Sequence, residues 1–222
     1  MTQHPIPPAI AKIAPDGQLT ARQRRHILLQ IALRRSQPGT GSSHKFMRRR
    51  TAMLEWPDLR QLLRDFDWII VGGVATRAYM PERMTKDLDI LIRKQDEKAI
   101  LEQLAAAGYK QMGQLSIAGY QLQAPDGIEV DLILGEQAWL DEALAKPQQD
   151  PANYPVLALP YLVLMKMNAG RGRDLGDIST MLGWATAEQL DKVRDVVARY
   201  SPQDSEDLES MIFLGQQERL YP

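Results

Sequence analysis

An apolar run closed by two glycines and followed, about a dozen residues on, by a spaced pair of aspartates constrains this chain more than any other feature. In Trp68-Ile69-Ile70-Val71-Gly72-Gly73-Val74-Ala75 the apolar run is too short for a typical helix. It ends in a Gly pair and resumes with helix formers, which predicts strand, tight turn and helix. Glycines in such a turn let the backbone approach a phosphate closely, and the N–H groups of a helix start face an anion. A second strand is predicted over Asp87-Leu88-Asp89-Ile90-Leu91-Ile92. Residues i and i+2 of a strand share a face, so Asp87 and Asp89 stand about 6.5–7 Å apart along the chain. Two carboxylates placed in this way can share divalent metal.

A third carboxylate comes from a hairpin. Asp126-Gly127 reads as a turn leading into Ile128-Glu129-Val130-Asp131-Leu132-Ile133-Leu134. Asp131 shares a face with Glu129 and Ile133, while Val130, Leu132 and Leu134 point the other way. If this strand neighbours the Asp87 strand, Asp131 completes an acidic cluster with Glu129 in reserve. Carboxylates held together repel and raise one another's pKa unless a cation neutralises them, so a metal is the simplest explanation.

Composition narrows the chemistry. The 222 residues contain no cysteine, which excludes disulfides, thiolate zinc sites and a cysteine nucleophile. The three histidines, His4, His26 and His44, all precede the acidic region, so a His-based triad or a His/Cys zinc site in the core is not available. Oxygen ligation remains, and it suits Mg²⁺ or Mn²⁺. No apolar stretch approaches the ~18 residues of a membrane span, and the N-terminus lacks a signal-peptide core, which predicts a cytoplasmic protein with no membrane partner.

The charge is uneven. Residues 1–50 carry ten basic residues (Lys12, Arg22, Arg24, Arg25, Arg34, Arg35, Lys45, Arg48, Arg49 and Arg50) against Asp16, a balance of +9, and the rest of the chain balances at −10. Such an arm can contact nucleic acid phosphates or fold back on its own protein. A translation start at Met47 or Met53 is a third reading. The expected organisation is a basic, partly disordered arm over 1–52 with a short helix at about 21–35 capped by Thr20, a core over 53–135, and a helical tail over 136–222. Within the core a helix is expected at about 57–65 and another from Asp96 to Gly108. In the tail, helices are expected at about 136–145, 160–169, 173–184, 187–200 and 204–217, the fourth opened by a Thr186/Gln189 capping box. The fold class is therefore α+β: a small mixed sheet with helices, followed by helices alone.

Gly72-Gly73, Asp87-x-Asp89 and a later strand bearing Asp131 together resemble the signature of the polymerase-β-type nucleotidyltransferase superfamily. The finer pattern Arg83-x-Thr85-x-Asp87-Leu88-Asp89 resembles the branch holding the AbiEii-like and MenT-like toxins of toxin–antitoxin systems. The block from Leu164 through Lys166, Arg171, Arg173 and Asp174 to Asp177 looks similar to the Lys and Arg-x-x-Asp pattern of that branch. The resemblance spans about residues 66–183.

It implies a polymerase-β-like core in which Asp87 and Asp89 hold two Mg²⁺ ions with a nucleoside triphosphate, while Asp131 helps bind the catalytic metal and activates an acceptor hydroxyl. Gly72 and Gly73 would carry the triphosphate turn, with Arg83, Thr85, Lys166, Arg171 and Arg173 around the nucleotide. For the last block the alternative is a helix pair tied by Arg173 and Asp177 at i, i+4. The toxin resemblance further implies an RNA acceptor, such as a tRNA 3′ end reached through the basic arm, and an antitoxin partner. Two other readings stand beside it: a small-molecule nucleotidyltransferase of the aminoglycoside type, and a non-catalytic binding module on the same fold.

Overall fold

The computed structural model describes residues 5–35, 56–81 and 85–220. In chain order the first elements are α1 (Pro8–Ala11), α2 (Ala21–Arg35), β1 (Trp68–Ile70), α3 (Gly72–Ala75), β2 (Asp87–Arg93), α4 (Glu97–Ala106), β3 (Lys110–Gln114), β4 (Gly119–Gln123) and β5 (Glu129–Gly135). They are followed by α5 (Leu140–Ala145), β6 (Gln148–Gln149), β7 (Pro155–Val156), α6 (Leu159–Ala169), α7 (Gly172–Trp184), α8 (Ala187–Tyr200) and α9 (Ser205–Leu220). The chain divides into two compact units, one from 42 to 158 and one that joins residues up to 41 with those from 159 onward.

The first unit is the α+β one. Its seven strands lie in the order β3-β4-β5-β2-β1-β7-β6. β2 runs parallel to β5 and antiparallel to β1, while β4 and β5 form the expected hairpin. At the hairpin turn, Gly127 takes a left-handed φ of 88° and the Ile128 N–H donates to Asp126 Oδ1 at 3.0 Å. Burial alternates along the first half of β2 and of β5 and is continuous beyond it, where Leu91 and Ile133 are buried as well. Leu88, Ile90, Val130, Leu132 and Leu122 are at most 2 % exposed on one face, whereas Asp87, Asp89, Glu129 and Asp131 are only half-buried on the other. α4 contributes Ile100 and Leu104 to the core, and each such buried side chain is worth about 1.5–3 kcal/mol of transfer free energy.

Two expectations are corrected in this unit. Residues 60–65 form a run of turns after an irregular 57–59, rather than a helix. Leu59 and Leu63 keep the helical i, i+4 spacing and are fully buried, but Asp58 Oδ1 accepts from the Arg60 N–H at 3.0 Å, a local bond that competes with helix initiation. The sheet also extends beyond the expected core: β7 pairs in parallel with β1 at Ile70 and Val156, and β6 pairs with β7. Strands of two residues carry too little alternation to be read from sequence.

The second unit is helical. Thr20 and Gln23 exchange bonds at the start of α2, and Ile27 and Ile31 bury one side of that helix. Arg35 ends the helix by donating from Nη1 to the Met167 carbonyl at 2.7 Å and by pairing with Asp204 at 2.6 Å and Asp207 at 3.3 Å. Arg34 also pairs with Asp207, at 2.7 Å. This part of the basic segment is thus folded onto its own protein, because two acidic side chains and a helix-end carbonyl supply its partners. Lys45, Arg48, Arg49, Arg50, Met47 and Met53 lie outside the described residues.

The Thr186/Gln189 capping box opens α8 as expected, and Leu190, Val193 and Val197 form its buried stripe. α7 and α9 approach at glycines: a Cβ on Gly215 would stand 1.9 Å from the Ser179 carbonyl oxygen. Among the described residues, no helix is long and apolar enough to cross a membrane.

Candidate functional site

The sheet register builds the site. Asp89 and Asp131 are direct partners across β2 and β5, and Asp87 is the partner of Glu129 two residues earlier. Partners in adjacent strands share a face, so the parallel pairing brings the three predicted aspartates together. One carboxylate oxygen from each of Asp87, Asp89 and Asp131 lies within 4.8 Å of the other two, all three residues being half-buried. Thr85 Oγ1 donates to Asp87 Oδ1 at 3.0 Å and so orients that carboxylate.

The Gly72–Gly73 turn sits against the same cluster. Val71 is extended and donates its N–H to the Asp89 carbonyl at 2.9 Å, after which Gly72 enters α3 with φ of 62°. A Cβ on Gly72 would stand 1.8 Å from Asp89 Oδ2, so the missing side chain is what lets the turn lie beside the carboxylate. Thr76, fully buried, donates from Oγ1 to the Gly73 carbonyl at 2.7 Å and closes the first turn. A row of hard oxygen donors beside a glycine turn fits Mg²⁺ or Mn²⁺, which prefer carboxylate ligands, and offers backbone N–H groups to an anion.

The remaining predicted residues divide by unit. Arg83 lies outside the described residues. Lys166 belongs to the helical unit, where its ammonium is buried and donates to Asp174 Oδ1 at 3.0 Å and Asp177 Oδ2 at 2.8 Å. Arg171 stands 3.9 Å from Asp174, and Arg173 is exposed. The i, i+4 pair weighed for this block is replaced by a different tie. The buried partner of Asp177 is Lys166, eleven residues earlier on the preceding helix, because burial favours the cation that can reach both acids.

A polar cavity of about 360 Å³ involving Arg64, Asp67, Arg93 and Asp96 opens at the Arg93 end of β2. None of the three clustered aspartates lines it. Of its two arginines, Arg93 is already engaged: Asp67 first, then Asp141, hold its guanidinium pKa above the ordinary value. Sequence reasoning missed Arg77 and Asp150, which pair beside the glycine turn. Asp150 sits in a loop far along the chain, and the only sequence signal was an Asp ahead of Pro151 and Asn153, a turn signature with no hint of its partner.

Residues 59–156 match the family model for aminoglycoside-2''-adenylyltransferase, a span that holds Gly72, Gly73, Asp87, Asp89 and Asp131. With the acidic cluster and the mixed sheet, this match supports membership of the nucleotidyltransferase superfamily. The family that matches is an antibiotic-modifying one, not the toxin branch that the Arg83-x-Thr85 pattern resembles. No curated protein matches.

Among solved structures, the chain is similar to the solution structure of the antibiotic-resistance factor ANT(2'')-Ia, at 15 % identity over 89 % of this chain and 92 % of that one, with a TM-score of 0.38. It is also similar to the lincomycin-bound lincosamide antibiotic adenylyltransferase LnuA, at 13 % identity over 63 % and 90 %, with a TM-score of 0.39. A crystal structure of ANT(2")-Ia with adenylyl-2"-tobramycin gives 16 % identity over 71 % and 90 %, with a TM-score of 0.36. Likeness at this level decides nothing about substrate.

Proposed function

We propose that this protein transfers a nucleoside monophosphate from a nucleoside triphosphate to a hydroxyl of a small, antibiotic-like acceptor. The observation that carries the reading is the convergence of Asp87, Asp89 and Asp131 beside the Gly72 turn. The family match supports a small-molecule acceptor over a tRNA 3′ end.

In this reading Asp87, Asp89 and Asp131 hold the divalent ions, which supply charge neutralisation for the triphosphate and the developing transition state. Thr85 keeps Asp87 turned toward its neighbours. The Gly72–Gly73 backbone lies against the triphosphate, where a side chain would block approach. Asp131 accepts the proton from the acceptor hydroxyl as its oxygen bonds to the α-phosphorus, while the bond to the bridging oxygen breaks and pyrophosphate leaves. No histidine is needed for this proton, and none lies between Met47 and Pro222. Lys166 serves its own helical unit as the counter-charge of Asp174 and Asp177.

The test is to incubate the purified protein with each α-labelled NTP, Mg²⁺ and, in separate reactions, a panel of aminoglycosides and lincosamides or total cellular RNA. A labelled small molecule of the mass of antibiotic plus NMP supports the reading. Label found on RNA instead restores the polymer acceptor, and label on neither, with no pyrophosphate released, refutes transfer.

A further inference from the structure

The α+β unit contains a buried ion pair that the proposed chemistry does not use. The Asp150 side chain is fully buried and that of Arg77 is 16 % exposed. Asp150 Oδ2 accepts from Arg77 Nε at 2.6 Å and is in ion-pair contact with Nη2. Its Oδ1 accepts the backbone N–H groups of Ala152 at 2.9 Å and Tyr154 at 2.8 Å. The carboxylate therefore fixes its own loop with one oxygen and holds Arg77 with the other. Arg77 lies in the single 3-10 turn, Thr76–Ala78, that continues α3.

Two further ties join the same segments. Tyr79 Oη donates to the Leu157 carbonyl at 2.8 Å, and the Leu157 N–H donates to the Ile70 carbonyl at 2.9 Å. Tyr154, in the Asp150 loop, packs under the Arg60 guanidinium at 4.4 Å.

α3 has little to hold it in place by itself. It is one turn long, begins with two glycines, and a single turn pays nucleation without the return of propagation. Yet its first residue is in contact distance of the Asp89 carboxylate, with room for no additional atom. Movement of the turn therefore changes the space in which that carboxylate sits. A buried ion pair is a poor device for stability alone, since desolvation offsets the Coulombic gain, but a planar guanidinium held at two of its nitrogens by one carboxylate fixes direction.

We infer that Arg77 and Asp150 are positioning residues: they hold the Gly72–Gly73 turn, and through it the Asp89 carboxylate, in the arrangement that binds metal and triphosphate. This rests on the nucleotidyl-transfer reading for the nucleotide, but not for the metal.

The experiment compares the full-length wild type with Arg77→Met, Arg77→Lys and Asp150→Asn. Each is measured for Mn²⁺ binding by electron paramagnetic resonance without nucleotide, for KM of the metal–NTP complex and kcat, and for Tm. Arg77→Met is expected to weaken Mn²⁺ binding and raise KM by about 10-fold, the low end of what a supporting residue behind metal ligands contributes, with kcat changed less. Arg77→Lys recovers part of both. If Arg77→Met does not fold, Asp150→Asn is read instead, since its amide oxygen keeps the bonds from Ala152 and Tyr154.

A fall in Tm with Mn²⁺ affinity and KM unchanged makes the pair merely structural and overturns the inference. A wild type that binds Mn²⁺ but transfers nothing defeats the functional reading, while the Mn²⁺ measurement still decides the role of the pair. A wild type that binds no Mn²⁺ defeats both.

Discussion

Gly72 and Asp89 are so close that a methyl group on the glycine would stand 1.8 Å from the carboxylate Oδ2. The glycine turn and the carboxylate proposed to hold metal are thus one packed object. Gly72→Ala carries two penalties: a left-handed φ that costs a side-chain-bearing residue about 1–2 kcal/mol, and a clash that displaces Asp89. Urea unfolding should show at least the first, and Mn²⁺ titration should show the second as weakened binding. A variant with normal Mn²⁺ affinity would mean that the turn yields instead of the carboxylate.

The triad was legible because each part has a local signature: a Gly pair after an apolar strand, carboxylates at i and i+2, and an Asp-Gly hairpin feeding the third. Register then did the rest: the parallel pairing sets Asp89 opposite Asp131 and keeps Leu88, Ile90, Val130 and Leu132 on one buried face, which a one-residue slip would reverse. What could not be read were pairings between distant segments. The resemblance set Lys166 beside the nucleotide, while its buried contacts to Asp174 and Asp177 span eight and eleven residues between two helices, which no local pattern announces. β7 and the Arg77–Asp150 pair escaped for the same reason: each depends on a return of the chain that short polar or two-residue segments do not announce.

Lys166 gives a stability prediction. Lys166→Met leaves Asp174 and Asp177 buried without their ammonium, and removal of one member of such a group costs about 3–5 kcal/mol. The urea midpoint should fall accordingly. An unchanged midpoint accompanied by lost nucleotide binding would return Lys166 to the phosphates.

Arg35 tests the folded part of the basic segment. Arg35→Ala removes its bonds to the Met167 carbonyl, Asp204 and Asp207, and bonds involving a charged group are worth about 1.5–3 kcal/mol each. The expected result is a lower Tm with no change in the salt dependence of any RNA binding. A shallower salt slope at unchanged Tm would instead make Arg35 a phosphate contact.

Tyr109 sets an alkaline limit. Burial first, and the nearby Asp126 carboxylate second, push its phenol up to about 12 from the ordinary 10.0. The neutral phenol is the form favoured by folding. Its contribution to stability is therefore complete below about pH 10 and is lost as pH rises through about 12. The Tyr120 phenol is also raised, by its hydrogen bond to Glu97, so ultraviolet titration of the native protein should show more than one tyrosine ionising late, and Tyr109→Phe should reduce the amplitude of that late step. A titration unchanged by Tyr109→Phe would contradict the assignment.

The central claim is that the three clustered aspartates perform metal-assisted nucleotidyl transfer, and Asp89 tests it most directly. Pyrophosphate release with Mg²⁺, NTP and the acceptor found by screening should be compared in the wild type and Asp89→Asn, alongside Mn²⁺ binding and Tm. The account predicts an intact fold, weakened Mn²⁺ binding and a rate lower by at least about 10²–10³-fold, the scale on which a single electrostatic group at a reacting centre acts. Near-normal pyrophosphate release by Asp89→Asn would contradict it.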